Sequence, residues 1–320
     1  MASRFPIKFG IQTPPEQASW PEQVRMWRFC EDLGYDTMWS SDHFIPGTGA
    51  NAPIDWPVLD GWTALAGLVT QTKRVHCGVM ITGTPYRHPP QLAKIATTID
   101  TMSNGRLIMG IGAAWHKPEH EMYGVPWREP AERVHRMGEA VQIFKMLWTQ
   151  ERSTFEGKYY QVKNAVCYPK PVQKPTIPIW IGGWGEQLTL KYVAKEADGW
   201  NLTGSPISLK PKLSALQRHC DTFKRDIASI EKSVMHMRLI THLKPEEQKT
   251  FIEGMAKQRK TTYDDMRGHY MIGSTEEMRD TIGKLIDLGF THFVCQIMPP
   301  YDYDGVERWY TEVGKHFKGK

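Results

Sequence analysis

The chain predicts an α/β fold, a (β/α)8 TIM barrel with insertions. Short apolar, strand-like runs alternate with longer helix-like stretches from end to end, and eight such units can be marked out. Parallel strands covered by helices satisfy that alternation, because each return to a parallel neighbour needs a crossover. Eight units in 320 residues fit a barrel better than a doubly wound sheet, which uses fewer strands per domain. No change of composition marks a linker and no internal repeat is evident, so residues 1–320 read as one domain.

Ile7 to Gln12 reads as the first strand. Pro21 to Leu33 follows as a helix with Val24, Trp27 and Leu33 on one face, and Gly34 stands where that helix would stop. Asp36 to Ser40 is the second strand, and the alanine-rich run Trp62 to Val69 the helix after it. Val75 to Thr82, Pro90 to Met102 and Arg106 to Gly112 continue as strand, helix and strand. Val134, Met137, Val141, Phe144 and Trp148 step by three and four residues, the period of one apolar helix face. A β-excursion is expected over Thr154 to Val162, then a strand over Ile177 to Gly182 and a helix over Glu186 to Ala197. Gly199 to Leu202 is a strand, and a long helix follows Pro206. Val234 to Leu243 alternates as a strand should, and the polar stretch from 244 to about 270 reads as a helical insertion. The last unit is a helix over Thr275 to Leu288, a strand over His292 to Met298 and a terminal helix from Asp304.

Composition narrows the function classes. A net charge of +5, with lysine and arginine spread along the chain, gives no basic arm or stripe for nucleic acid. Cys30, Cys77, Cys167, Cys220 and Cys295 are odd in number, far apart and without a C-x-x-C pair. That argues against a disulfide framework or a four-sulfur metal site and favours a reducing compartment. The N-terminus carries no apolar signal core, and no stretch approaches the ~18 apolar residues of a membrane span. A soluble, cytoplasmic protein is expected.

In such a barrel, chemistry belongs at the C-terminal ends of the strands. After the second strand stand Ser40, Ser41, Asp42, His43 and Phe44. A histidine there can give or take a proton near neutral pH, and Asp42 can orient it or bind a heterocycle N–H. After the third strand come Thr82, Gly83 and Thr84, and after the fourth Gly110, Gly112, Ala113, Ala114, Trp115 and His116. After the fifth come Gly182, Gly183, Trp184 and Gly185, where backbone can approach a phosphate closely, and after the sixth Asn201. Trp115 stands where G-x-G-x-x-G needs its third glycine, so a Rossmann fingerprint is absent. His116-Lys-Pro-Glu119-His120 matches the H-x-x-E-H zinc pattern, but Pro118 should disrupt the helix that would align both imidazoles, so no metal is expected.

Read in order, these segments resemble the luciferase-like monooxygenase superfamily, and within it the oxidoreductases that use the deazaflavin coenzyme F420. The resemblance spans nearly the whole chain. It is carried by Gly34 to Phe44, Thr82 to Pro89, Gly105 to Trp115, Glu119 to Gly124, and Ile179 to Gly183 leading to Ala197 to Asn201. It implies a bacterial luciferase-like barrel that transfers hydride between F420 and a small organic substrate, with Asp42 and His43 catalytic beside the ring. It further implies a non-proline cis peptide near Gly83–Thr84 supporting the ring. Ala113 to Trp115, Glu119 with His120, and Gly182 to Gly185 are implied as cofactor walls and phosphate contacts. Homodimers and a flavin or F420 reductase partner are also implied. One departure stands out. Sugar-phosphate dehydrogenases of this branch carry an acidic glutamate just after the strand-four glycines, where this chain has Ala113 and Ala114. The substrate therefore does not transfer with the fold. Three rival readings remain: an FMN-dependent monooxygenase fed with reduced flavin, a zinc hydrolase at His116, Glu119 and His120, and a barrel that only binds ligand.

Overall fold

The eight apolar runs form one closed parallel barrel in the computed structural model, which describes residues 4–47 and 53–318. Its strands are β1 (Lys8–Gln12), β2 (Thr37–Ser40), β3 (His76–Val79), β4 (Leu107–Gly112), β5 (Ile179–Gly182), β6 (Gly199–Leu202), β7 (Glu231–His236) and β8 (His292–Gln296). β1 lies between β2 and β8, with Gly10 opposite Thr37 and Val294. The ring closes where β3 pairs with β4, Cys77 against Leu107 and Gly78 against Ile108.

Helices cover the outside because every strand turns one set of side chains that way. α1 (Trp20–Leu33) buries Met26, Trp27 and Cys30, and Gly34 ends it in the left-handed region at φ 107°. α2 (Gly61–Leu68), α3 (Pro89–Met102), α4 (Lys117–Met122) and α5 (Pro130–Thr149) follow. The predicted stripe of α5 is the buried one, with Met137, Val141, Phe144 and Trp148 inside. α6 (Thr189–Glu196) packs on β5, and α7 (Pro206–Thr222) packs on α6. The predicted insertion is a helix pair, α8 (Pro245–Arg259) and α9 (Tyr263–Gly268), with its own small core of Ile252, Ala256, Met266 and Tyr270. α10 (Thr275–Asp287) precedes β8, and α11 (Tyr303–Arg308) follows it. The β-excursion is a hairpin of Ser153–Glu156 against Gln161–Ala165.

Three expectations shift. β7 begins at Glu231 rather than Val234, because Glu231 and Ser233 point into the barrel toward His292 and Asn201. Polar inward-facing residues hide a strand from a hydrophobicity reading. The helix after β5 begins at Thr189 rather than Glu186. Pro118 does not break a helix: it lies in the first turn of α4, where a proline removes no hydrogen bond that would otherwise form.

Candidate active site

The segment after β2 enters the barrel mouth with both of its ionisable groups tied to other loops. Asp42 is fully buried, and its carboxylate accepts from Thr82 Oγ1 and from Arg87 Nη1 at 2.8 and 3.0 Å. Arg87 also reaches Asp60, the N-cap of α2, so one guanidinium clamps two loops. Burial raises the Asp42 pKa, and Arg87 and Thr82 pull it back only in part.

His43 rests on a buried carboxylate. Its Nδ1 lies 2.9 and 3.1 Å from the two oxygens of Glu119, which has no exposed surface. Glu119 also accepts the Phe44 N–H at 2.7 Å and the Tyr86 hydroxyl, and His116 Nδ1 stands 3.5 Å from its Oε2. Burial opposes the charge on Glu119, but His43, Tyr86 and the Phe44 N–H outweigh it and lower its pKa. Burial likewise lowers the His43 pKa, but the Glu119 hydrogen bond and the charges of Glu119, Glu16 and Asp42 carry it above the ordinary histidine value. For His116, burial prevails and the shift is downward.

The glycines after β4 and β5 make a floor for one side chain. A Cβ on Gly112 would stand 3.0 Å from Ile81 Cγ2, and one on Gly182 only 2.8 Å from Ile81 Cγ1. Glycine at both positions lets Ile81 lie across the barrel end. The non-proline cis peptide is at Met80–Ile81, not near Gly83–Thr84. There β3 ends, and Thr82 and Gly83 resume pairing with Ile111 and Gly112. Gly183 adopts φ 125°, donates to Asn201 O at 3.0 Å and accepts from Trp200 Nε1 at 2.8 Å.

A cleft of about 520 Å³ opens over this floor. Of the predicted residues, Asp42, His43, Thr82, Gly83, Gly112 and Ala113 line it. Trp115, Gly182, Gly183, Trp184 and Gly185 do so as well. Three predicted cofactor contacts do not. Thr84 is turned under the floor, donating to Gly112 O at 2.7 Å. Glu119 lies beneath His43 instead of forming a wall. His120 is buried against the rings of Tyr86 and Trp127, at 5.4 and 4.8 Å. The zinc pattern therefore fails through the direction of His120, not through Pro118. His43, His116 and Glu119 do bring ligand atoms within 4.8 Å of one another. Yet the Glu119 oxygens already accept from His43, Tyr86 and Phe44, so these groups form a hydrogen-bond network as they stand.

Of the other lining residues, Ile81 and Arg133 carry no local signal. They belong to ordinary apolar and helical stretches, whereas Glu16 follows the end of β1. The same strand-end rule applied to β1 would have found Glu16.

Residues 4–247 match the family described as luciferase-like monooxygenase. This chain belongs to that family. An F420-dependent glucose-6-phosphate dehydrogenase of Microbacterium testaceum is 34% identical over 202 residues, 62% of this chain and 57% of that protein. One of Segniliparus rotundus is 31% identical over 236 residues, 72% of this chain and 68% of its own length. The luciferase-like fold recurs in the solved structure of an F420-dependent secondary alcohol dehydrogenase in complex with an F420–acetone adduct. That similarity has a TM-score of 0.81 at 20% identity and covers 97% of this chain and 98% of that one.

Proposed function

We propose that this luciferase-like protein is an oxidoreductase that moves a hydride between coenzyme F420 and a small organic substrate. The observation that carries the reading is the Glu119–His43 pair at the edge of a cleft floored by Ile81. The names of the relatives point the same way. The residues fit a flat heterocycle: Ile81 offers an apolar face, and Ser41 Oγ is buried at the cleft wall with no partner among the described residues. Asp42, Thr82, Gly83, Ala113 and the segment Gly182 to Gly185 would surround it. When bound, F420 supplies two-electron hydride chemistry.

His43 does the proton work. Glu119 holds its Nδ1, which leaves Nε2 toward Gly47 and the cleft. In alcohol oxidation Nε2 takes the hydroxyl proton as the carbon gives up hydride, and in carbonyl reduction it returns that proton. Glu119 stabilises the imidazolium so formed, in keeping with the raised pKa of His43. Trp115, edge-on to His43 at 5.7 Å, helps keep water from the ring. Among the described residues no helix is long and apolar enough to cross a membrane. Action as a homodimer in the cytoplasm completes the reading. Titration of the purified protein with F420 and with FMN tests it. F420 is expected to bind at micromolar concentration or tighter; binding of FMN alone would replace the proposal with a flavin monooxygenase.

A further inference from the structure

We infer that the substrate half of this cleft takes an uncharged alcohol or carbonyl compound with an apolar body, and not a phosphate ester. The inference deepens the oxidoreductase reading and rests on it.

Charge along the wall carries the case. A phosphate monoester holds close to two negative charges at neutral pH, and proteins answer it with lysine, arginine or clustered N–H donors. Among the described residues Arg133 is the one lysine or arginine lining the cleft, and the Nε and Nη1 donors of its guanidinium are committed. Nη1 donates to Ala113 O at 3.2 Å and to Ala114 O, Nε donates to Arg128 O at 3.0 Å, and the plane stacks on Trp127 at 4.0 Å. It also lies with Ala113 and Ala114, on the wall assigned to the cofactor.

The groups around His43 have the opposite sign. Glu16 lines the cleft at 1% exposure, accepts the Gly47 N–H at 3.3 Å, and its charge is felt at His43. Glu119 bonds the same ring and the charge of Asp42 acts on it too, offset in part by Arg87 at 2.8 Å. Arg238 senses the charge of Glu16 but does not line the cleft. A dianion beside His43 would therefore sit among carboxylates, whereas a neutral hydroxyl or carbonyl would not. The remaining wall suits an apolar body: Pro14 and Met235 line it, and Trp115 and Trp184 are 63% and 59% exposed at its mouth. Exposed apolar surface of that kind, rimming a cleft, is what a bound apolar group covers. The inference separates this chain from its relatives named for glucose 6-phosphate.

Cyclohexanol and cyclohexyl phosphate differ only in the charged group, and calorimetric titration of each tests the inference, on the protein alone and on protein saturated with F420. The alcohol is expected to bind at least about tenfold more tightly than the ester. Glu16→Gln should then narrow that gap about threefold or more by improving the ester, with a smaller effect at high salt. An ester that binds as tightly as the alcohol, or an alcohol that does not bind at all, overturns the inference. A chain that does not bind F420 overturns the cofactor reading instead, and the ratio between the two probes decides the substrate class in either case.

Discussion

Glu231 with His292 and Glu119 with His43 form buried carboxylate–histidine pairs at opposite ends of the barrel, and the second of them opens to a cleft. At the closed end His292 lies 3.2 Å from Glu231, which Lys8 also holds at 3.0 Å. The other ring nitrogen of His292 is 2.8 Å from Thr37 Oγ1, and the rings of Trp180 and Trp39 close over it at 5.0 and 6.3 Å. Every polar atom of that imidazole is taken. At the open end Glu119 holds Nδ1 of His43 in the same way, but Nε2 stands beside a glycine at the wall of the cleft. Identical chemistry thus satisfies both ring nitrogens at one end and leaves one beside the cleft at the other.

The comparison breaks most sharply at His43 itself. His43→Ala is expected to lower kcat by about 10²–10⁴, the usual worth of a positioned acid–base group, while thermal unfolding stays near that of the parent chain. Unchanged turnover with any accepted substrate would remove His43 from the chemistry. Glu119→Gln keeps the shape and removes the charge. A fall in kcat of about 10- to 100-fold is expected as the ring loses its orientation. The pH profile carries the sign. Alcohol oxidation needs neutral His43, so its rate rises as pH climbs through the raised His43 pKa, and carbonyl reduction falls over the same range. In Glu119→Gln that limb should move to lower pH; an unmoved limb would mean that Glu119 does not tune His43.

At the closed end the expected readout is stability alone. His292 and Lys8 overcome the cost of burial and lower the Glu231 pKa from 4.5 to about 2. Its stabilisation is therefore present above pH 4.5 and lost as pH falls toward about 2. Glu231→Gln should cost about 1–3 kcal/mol at neutral pH and flatten that acid slope in denaturant titrations, with F420 affinity unchanged. A matching loss of cofactor affinity would show that the two ends are coupled. The smallest effect belongs to Gly47→Ala. An added Cβ would stand 2.7 Å from Cδ2 and Nε2 of His43, so the ring must shift. A loss of about three- to tenfold in kcat with stability within about 0.5 kcal/mol is expected from steady-state kinetics and thermal melts.

Much of this was readable in one dimension. Strand and helix alternation, the stripe of α5 and the stop at Gly34 are set by neighbours a few residues apart, and local periodicity and turn chemistry express them directly. Strand ends follow from strands, so Asp42, His43, Gly112 and Gly182 could be placed at the barrel mouth before any contact was known. Contacts across the barrel had no such signal. Glu119 and His43 are 76 residues apart, and nothing local distinguishes a carboxylate beneath the His43 ring from one on a wall. His120, one residue further, turns away into aromatic packing, because successive helical residues point about 100° apart. Ile81 became the floor only when two distant glycines left it room, and Glu231 joined a strand only because His292 and Lys8 could satisfy it inside the barrel. The chain alone determined the order of elements and the loops that face the mouth, since both follow from short-range geometry. Closure of the barrel decided which side chains meet there, since that depends on registers and rotamers fixed by residues far apart in sequence.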